Sequence, residues 1–174
     1  MRSAPVVELE VPAELPDWSR EKKHTFSWHP SRALLASLRS CQRHVESRNP
    51  LCVPVKKGTV LRHRFWSVVT GADIPLGCQI EGGLLLPHQN GIVIHQRARI
   101  GPNCLIFQQV TIGTRRGEIM LPVIGGHVDI GAGAKILGNV HVGDHASIGA
   151  NAVVLNSLLK NTSSPRRKPG SRIL

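Results

Sequence analysis

The sequence lacks tyrosine altogether and has only three Phe and three Trp among its 174 residues. Aromatic side chains are the usual anchors of a globular core, so their scarcity argues against a core of that kind. The sequence also lacks an apolar stretch near the ~20 residues that a transmembrane helix requires. The opening segment carries Glu8, Glu10 and Glu14 and has no apolar run typical of a signal peptide. These absences predict a cytoplasmic protein with no membrane partner.

Metal-binding and disulfide patterns are missing as well. The four cysteines, at positions 41, 52, 78 and 104, do not pair in the spacing of a metal site, and unpaired thiols suggest a reducing compartment. The formal net charge is +11, but five of the basic residues lie in the last fifteen positions, and no basic stripe is interleaved with aromatic residues. Specific nucleic-acid binding is therefore not expected.

What the sequence does have is an aliphatic residue at every sixth position. A period of six fits neither a helix nor a simple strand, and hexapeptide repeats are typical of parallel β-helices. Four positions after most of these aliphatics a small residue follows. Ten positions keep the step in one register, namely Ile94, Ile100, Ile106, Ile112, Ile124, Ile130, Ile136, Val142, Ile148 and Val154.

Each repeat is expected to supply a short strand and a tight turn, so that three repeats close one triangular coil. The periodic aliphatics then point inward and stack on those of the next coil. Cys78 and Cys104 fall at the small interior positions, where a thiol acts as a small hydrophobe. Glycines that directly follow inward residues are expected to supply permissive backbone for the turns, at positions 101, 113, 131, 143 and 149.

Residues 1–70 are predicted to form a small helical cap. A short helical turn is expected after Asp17, and a helix from Ser31 to about Glu46, where apolar residues share one face. A second helix is predicted from about Lys57 to Thr70, on the basis of a stripe formed by Val60, Leu61, Phe65, Val68 and Val69. The β-helix is assigned to residues 71–157. Residues 158–174 show no repeat and predict a disordered basic tail.

Two departures interrupt the repeat. The step from Leu86 to Ile94 is eight residues, so 87–92 hold about two extra positions. Between Ile112 and Ile124 a charged run at 114–118 predicts a projecting loop, because charged side chains cannot be stacked inside. Functional residues tend to occupy such irregular places.

His88 lies within the first departure, fifteen residues after Asp73. A coil of three hexapeptides takes eighteen residues, so the two residues are expected nearly one coil apart, on neighbouring faces or at one corner. A carboxylate placed there can hold one imidazole nitrogen and leave the other free as a base. The spacing is equally compatible with a turn histidine and a capping aspartate.

The remaining histidines of the repeat region fall outside the inward positions, where a surface side chain is the default; they are His95, His127, His141 and His145. His127 follows two glycines and could line a groove below the projecting loop. Arg115 and Arg116 on that loop are equally compatible with contacts to a phosphorylated ligand and with a solvated loop.

Four stretches resemble the serine acetyltransferase branch of the hexapeptide acyltransferases: GADIPLG, PHQNGIVI, FQQVTIG and DIGAGAKILGNVHVGDHASIGANAVVL. The resemblance covers roughly residues 60–157. It implies an all-β fold, a left-handed parallel β-helix, which is an exception to the right-handed crossover rule. The family binds the pantetheine arm between adjacent β-helices of a trimer, so a homotrimer is implied. The short cap favours a trimer over a hexamer.

The resemblance also implies an acetyl-CoA-dependent O-acetyltransferase with a role in cysteine biosynthesis. The family's general base and its orienting aspartate fall on His88 and Asp73. His88 would take the proton from the hydroxyl of a small acceptor, L-serine by family, whose oxygen attacks the thioester carbonyl. By motif position, Gly113, Ala132 and Ala150 would lie along the groove for acetyl-CoA, the co-substrate. No metal is implied.

Departures from the family pattern leave alternatives open. Pro87 stands where the family carries an aspartate, and Met120-Leu121 stands where it carries an Arg-His pair that grips the amino acid. A sugar hydroxyl, as in polysaccharide-modifying relatives, is therefore an alternative acceptor. The basic tail replaces the family's closing segment, which helps cover the coenzyme, so a catalytically impaired trimeric scaffold is a further alternative. A zinc lyase on this fold would need three converging histidines, a spacing that the sequence does not show.

Overall fold

A computed structural model describes residues 12–22, 28–45 and 53–164, without the side chains of 44–45 and 53–56. The first element is a short 3-10 turn, Trp18–Glu21, and the Asp17 side chain caps it by accepting a 2.9 Å hydrogen bond from the Ser19 backbone N–H. Two helices follow, α1 (Pro30–Val45) and α2 (Val53–Thr70). The predicted helical turn and both predicted helices are confirmed. Neither helix is long and apolar enough to cross a bilayer.

The two helices pack differently from one another. Helix α1 buries its predicted apolar face against the first coil, with Leu34, Leu35 and Leu38 almost fully enclosed. In α2 the predicted apolar stripe is not the packing face, because Leu61 and Val68 are 70% and 83% exposed. The buried face of α2 instead carries three polar side chains, Thr59, His63 and Thr70. Trp66 packs against the hydrophobic core. His63 bonds groups outside α2, with its ring nitrogens 2.9 Å from Ser37 Oγ and 2.8 Å from Ile74 O, so α2 is held by these hydrogen bonds together with the packing of Trp66.

Residues 71–164 form the triangular parallel β-helix that the repeat predicts. The strands are β1 (Gln79–Ile80), β2 (Val93–Ile94), β3 (Arg99–Ile100), β4 (Leu105–Ile106), β5 (Thr111–Gly113), β6 (Val123–Ile124), β7 (Asp129–Ile130), β8 (Lys135–Leu137), β9 (His141–Val142), β10 (Ser147–Ile148), β11 (Val153–Val154) and β12 (Ser163–Ser164). They pair in parallel as three sheets, each with four strands in the described residues.

We name the sheets in the order in which the chain visits them. Sheet one has the order β1-β3-β6-β9, sheet two β12-β10-β7-β4 and sheet three β11-β8-β5-β2. Corner I joins sheet one to sheet two, corner II joins sheet two to sheet three, and corner III returns to sheet one. The chain therefore meets each corner once per coil, and residues at one corner of successive coils lie above one another.

The strand register shows where the coil is irregular. A regular coil advances eighteen residues, as from Val123 to its partner His141. The first coil advances twenty, from Gln79 to Arg99, and the next return to sheet one advances twenty-four, from Arg99 to Val123. These differences locate the two predicted departures at corner II and corner III.

The inward positions of the repeat are buried throughout, including the predicted interior thiols Cys78 and Cys104. The expectation that the glycines after inward residues supply unusual turn dihedrals is wrong, because none of the five, at 101, 113, 131, 143 and 149, has a positive φ. Left-handed backbone occurs instead at corner residues such as Asn103, His127 and His145. A Cβ added to Gly101 would lie 2.6 Å from the backbone of Gly125 in the next coil, so close stacking of coils requires glycine there.

The β-helix extends past its predicted end at residue 157. Leu158 forms a parallel bridge with Val142, and β12 pairs with β10. This last step advances only sixteen residues, from Ser147 to Ser163, and carries serine where the repeat has an aliphatic. The assignment of 158–164 to a disordered tail is therefore wrong. Predictions for 1–11, Cys52 and 165–174 lie outside the described residues.

Candidate active site

Three of the sequence-predicted site residues lie at corner II. His88 belongs to the widened turn of the first full coil, and Ala132 and Ala150 occupy the same corner two and three coils further on. Backbone hydrogen bonds hold this stack together, including Gly133 N–H to Gln108 O at 2.8 Å and Asn151 N–H to Ala132 O at 2.7 Å. Corner II therefore presents His88 at one end of a stack whose third and fourth coils carry the small residues Ala132 and Ala150.

His88 is exposed, and its ring lies beside the ring of Phe107 in the next coil. The two ring centroids are 6.5 Å apart and the rings are inclined by 35°. The two extra residues at 87–92 widen this turn, which moves the His88 side chain outside the stacked core. An imidazole held there is open to a substrate from solvent or to a neighbouring copy of the chain.

Asp73 enters sheet three directly after α2. Its N–H donates to Ile92 O at 2.8 Å and its carbonyl accepts from Ile94 N–H at 2.9 Å, so the backbone is fixed while the side chain stays exposed. Asp73 lies one coil below Val93, and His88 lies at the corner that leads into that strand. His88 thus lies at corner II, and Asp73 lies on the adjoining sheet three. No hydrogen bond joins their side chains in the described part of the chain.

A cleft of 410 Å³ opens on sheet three beside Asp73. Gly113, the third residue expected to bind the coenzyme, lines it at the far end near corner III. A Cβ added to Gly113 would meet nothing within 4 Å, so the missing side chain leaves free space along the sheet. Asp73 is the one charged residue among the lining residues, which include neither Lys nor Arg. The cleft suits an extended ligand with few negative groups at this depth.

His95 also lines this cleft, although sequence reasoning assigned it to the surface by default. Its backbone N–H donates to Ile112 O at 2.8 Å, and it stands directly below Gly113 in the register of β2 and β5. Its Nδ1 accepts a 3.2 Å hydrogen bond from the Arg97 backbone N–H. The sequence signal was available, because His95 precedes Gly113 by eighteen residues, one regular coil.

Lys135 is a further polar residue at this site that sequence reasoning missed. Its Nζ donates to Gln109 O at 2.6 Å and lies 3.1 Å from Thr111 Oγ1. These contacts tie corner II to sheet three between Ala132 and the cleft. The nearby Gln108 Oε1 is buried and has no hydrogen-bond partner in the described residues.

The projecting loop leaves corner III, as the charged run predicts. Glu118 fixes it, since its Oε2 accepts from Asn139 N–H at 2.7 Å and its Oε1 lies 3.5 Å from Arg115 Nη1. Ile119 and Met120 are 83% and 61% exposed. Arg116 is exposed and forms no ion pair in the described residues. The loop therefore presents apolar side chains to its surroundings.

His127 does not lie below this loop, as one interpretation of the sequence suggested. It lies at corner I, where its Nδ1 is 2.8 Å from the Nδ1 of His145 in the next coil. The rings meet edge to face with centroids 4.9 Å apart. No group of three His, Cys, Asp or Glu side chains able to hold a metal ion occurs in the described residues.

The interior thiols are not candidates for nucleophilic chemistry. Burial raises the pKa of Cys78 to about 12, and burial likewise raises the pKa of Cys104 to about 12. A thiol at that pKa is protonated near neutral pH and is a weak nucleophile. The chemistry of the site must therefore come from its imidazoles and carboxylate.

Comparison with known proteins identifies relatives of this chain. Residues 122–156 match the family model described as bacterial transferase hexapeptide (six repeats). The serine acetyltransferase of Staphylococcus xylosus is 47% identical over 92 residues, which are 51% of this chain and 42% of that protein.

Two solved structures share the fold. The serine acetyltransferase of Neisseria gonorrhoeae, solved with serine, has a TM-score of 0.65 and 30% identity over 78% of this chain and 54% of its own. A serine acetyltransferase solved with CoA has a TM-score of 0.66 and 31% identity over 84% of this chain and 58% of its own. The chain thus spans about half the length of the relatives it matches. The similarity confirms the left-handed parallel β-helix with a small helical cap.

Proposed function

We propose that this chain is a serine acetyltransferase-like hexapeptide-repeat protein and acts as an acetyl-CoA-dependent O-acetyltransferase with L-serine as its acceptor. The observation that carries the proposal is the pairing of a widened corner bearing His88 with a sheet-three cleft bearing Asp73 and Gly113. Relatives of this family have been solved with serine and with CoA. An O-acetylated serine would serve cysteine biosynthesis in the cytoplasm.

The proposed reaction is a direct transfer. His88 takes the proton of the acceptor hydroxyl, and the oxygen attacks the carbonyl carbon of the acetyl thioester. The C–S bond then breaks, the acetyl group stays on the acceptor, and the proton on His88 passes to the departing thiolate of CoA. Asp73 orients and stabilises the imidazolium that forms between these steps.

The coenzyme is assigned to the column of small residues and the cleft beside it. Ala132 and Ala150 at corner II and Gly113 on sheet three allow the pantetheine arm to run close to the backbone. Hydrogen bonds between catalytic groups are often long in an unliganded site, which accounts for the absence of one between Asp73 and His88 in the described residues. We also propose a homotrimer with the sites between subunits, as the resemblance to the hexapeptide acyltransferases implies.

A sugar hydroxyl is the second candidate acceptor, and one observation favours it. A zwitterionic amino acid requires charged partners at both ends, whereas Pro87 has no side-chain charge and Met120 is 61% exposed on the loop. The residues that line the cleft include no Lys or Arg to meet a carboxylate, and the Lys135 ammonium at its edge already donates to Gln109 O and Thr111 Oγ1. A trimeric scaffold without turnover is the non-enzymatic alternative.

Release of free CoA thiol from acetyl-CoA tests the proposal. Purified protein is assayed with L-serine, with a hexose or an amino sugar, and without acceptor, alongside His88→Ala. Serine-dependent release should fall by about 100- to 10,000-fold in the variant, because the general base is removed. His141→Ala, an exposed histidine on sheet one, is the matched control and should retain wild-type turnover.

Each outcome decides between the candidates. If CoA thiol is released only when the sugar is present, the sugar replaces serine as the proposed acceptor. Binding of acetyl-CoA without release of the thiol would favour the scaffold. Full activity in His88→Ala would overturn the assignment of the base. Sedimentation of the active enzyme as a monomer would overturn the shared site.

A further inference from the structure

His95 lies on the outer face of sheet three, directly after β2, where the chain turns into corner III. Along sheet three it stands in the column directly below Gly113, and Asp73 lies in the neighbouring column. All three residues line the same 410 Å³ cleft. Since Gly113 has no side chain and open space above it, a ligand that follows the sheet there passes the His95 ring.

The hydrogen bond at Nδ1 determines what His95 offers to that ligand. Nδ1 accepts from the Arg97 backbone N–H at 3.2 Å, so in the neutral ring the proton is on Nε2. No partner for Nε2 occurs in the described residues. The ring therefore presents a single N–H donor, held in orientation by the backbone of its own turn, and does not act as a base through Nδ1.

From this geometry we infer that His95 is a further catalytic residue, which donates a hydrogen bond from Nε2 to the carbonyl oxygen of the acetyl thioester. The inference rests on the proposed acyl transfer. As the acceptor oxygen attacks, the carbonyl π electrons move onto that oxygen, and the Nε2–H group stabilises the negative charge. The proton stays on His95, and when the carbonyl re-forms the electrons expel the CoA thiolate. A preorganised donor of this kind favours the tetrahedral intermediate over the ground state.

The test separates His95→Ala, which removes the donor, from His95→Gln, which keeps an N–H donor. His95→Ala should lower kcat by about 100- to 1000-fold with little change in the KM for the acceptor, and His95→Gln should recover part of that loss. His141→Ala again serves as the control. The affinities of CoA and acetyl-CoA are measured by calorimetry for each variant. CoA has no acetyl carbonyl, so its affinity should be unchanged, while that of acetyl-CoA should weaken by about 2- to 10-fold.

The results distinguish this inference from the proposed function. Wild-type turnover in His95→Ala would overturn the role of His95 and leave the acetyltransferase standing, and an equal loss of CoA and acetyl-CoA affinity would make His95 a structural residue of the groove. If the wild-type protein binds acetyl-CoA without turnover, the effect of His95→Ala on the affinity of acetyl-CoA, relative to its effect on CoA, still tests whether His95 contacts the acetyl carbonyl. A wild-type protein that binds neither would overturn both proposals.

Discussion

The interior of the β-helix and its junction with the helical cap are stabilised by different interactions. Inside, each coil presents aliphatic side chains to the next, and parallel pairing satisfies the backbone. The first coil has no coil below it, and side chains of the cap take over that role. Arg39 donates to Ile80 O at 2.5 Å, His63 lies 2.8 Å from Ile74 O, and Glu21 accepts from Leu84 N–H at 3.1 Å. The open end of the solenoid is thus covered by the apolar face of α1, and polar side chains of the cap satisfy its exposed backbone groups, as an open sheet edge requires.

The largest effect is expected from Arg39→Ala at this junction. The Arg39 guanidinium pairs with Glu21 at 2.8 Å, and the side chains are only 11% and 8% exposed. Removal leaves a buried carboxylate unpaired and should cost about 3–5 kcal/mol of unfolding free energy. Urea denaturation measures the loss, and Arg64→Ala on the exposed side of α2 is the control. Equal midpoints for the two variants would show that the junction is not stabilised by this pair.

A smaller effect should follow from pH through His63. Burial lowers the pKa of His63 in the folded state below its ordinary value of 6.5. Between the folded-state pKa and 6.5, the unfolded state therefore binds a proton that the folded state does not. Stability should therefore fall as pH drops below about 6.5, by at most about 1.4 kcal/mol per pH unit. Denaturation of wild type and His63→Gln at pH 7.5 and 5.5 measures the slope. An unchanged slope in His63→Gln would assign the acid sensitivity to other groups.

The smallest effect is expected from Ile130→Val in the interior. Ile130 is fully buried, but Val142 and Val154 already occupy equivalent inward positions of other repeats, so the stack accommodates a valine. The loss of one methylene should cost about 0.5–1.5 kcal/mol. The urea midpoint measures it, with Val153→Ala on the outer face as control. If Ile130→Val lost as much unfolding free energy as Arg39→Ala, the interior and the junction would not differ in their sensitivity to substitution.

The same contrast explains which features the sequence could predict. The β-helix could be predicted from the sequence period, because the buried position at every sixth residue requires an aliphatic side chain. The contacts of the junction could not be predicted from residue type, since His63 and Arg39 bind backbone carbonyls of another segment, Ile74 O and Ile80 O. For the same reason the apolar stripe of α2 indicated the wrong face. Strand β12 was missed because Ser163 and Ser164 carry no aliphatic signal.

At the candidate site, the number of residues per coil predicted the positions of some site residues and not of others. The fifteen-residue spacing predicted Asp73 and His88 on neighbouring faces or at one corner, and the structure places His88 at corner II and Asp73 on the adjoining sheet three. Their roles stay a prediction, as do those of Gly113, Ala132 and Ala150. His95 was overlooked because its side chain was assigned to the surface by default, although its eighteen-residue spacing from Gly113 equals one regular coil.

The register differences at the corners carry a consequence for how the fold can change over time. Lengthening corner III from the three residues between β8 and β9 to the nine residues between β5 and β6 adds only about 1 kcal/mol of closure entropy. A corner can therefore gain or lose residues at a small thermodynamic cost, while the stacked interior stays the same. Both the turn of His88 and the loop with Met120 are such insertions. Substrate preference in this architecture can thus evolve by small insertions and deletions, independently of the residues that make it fold.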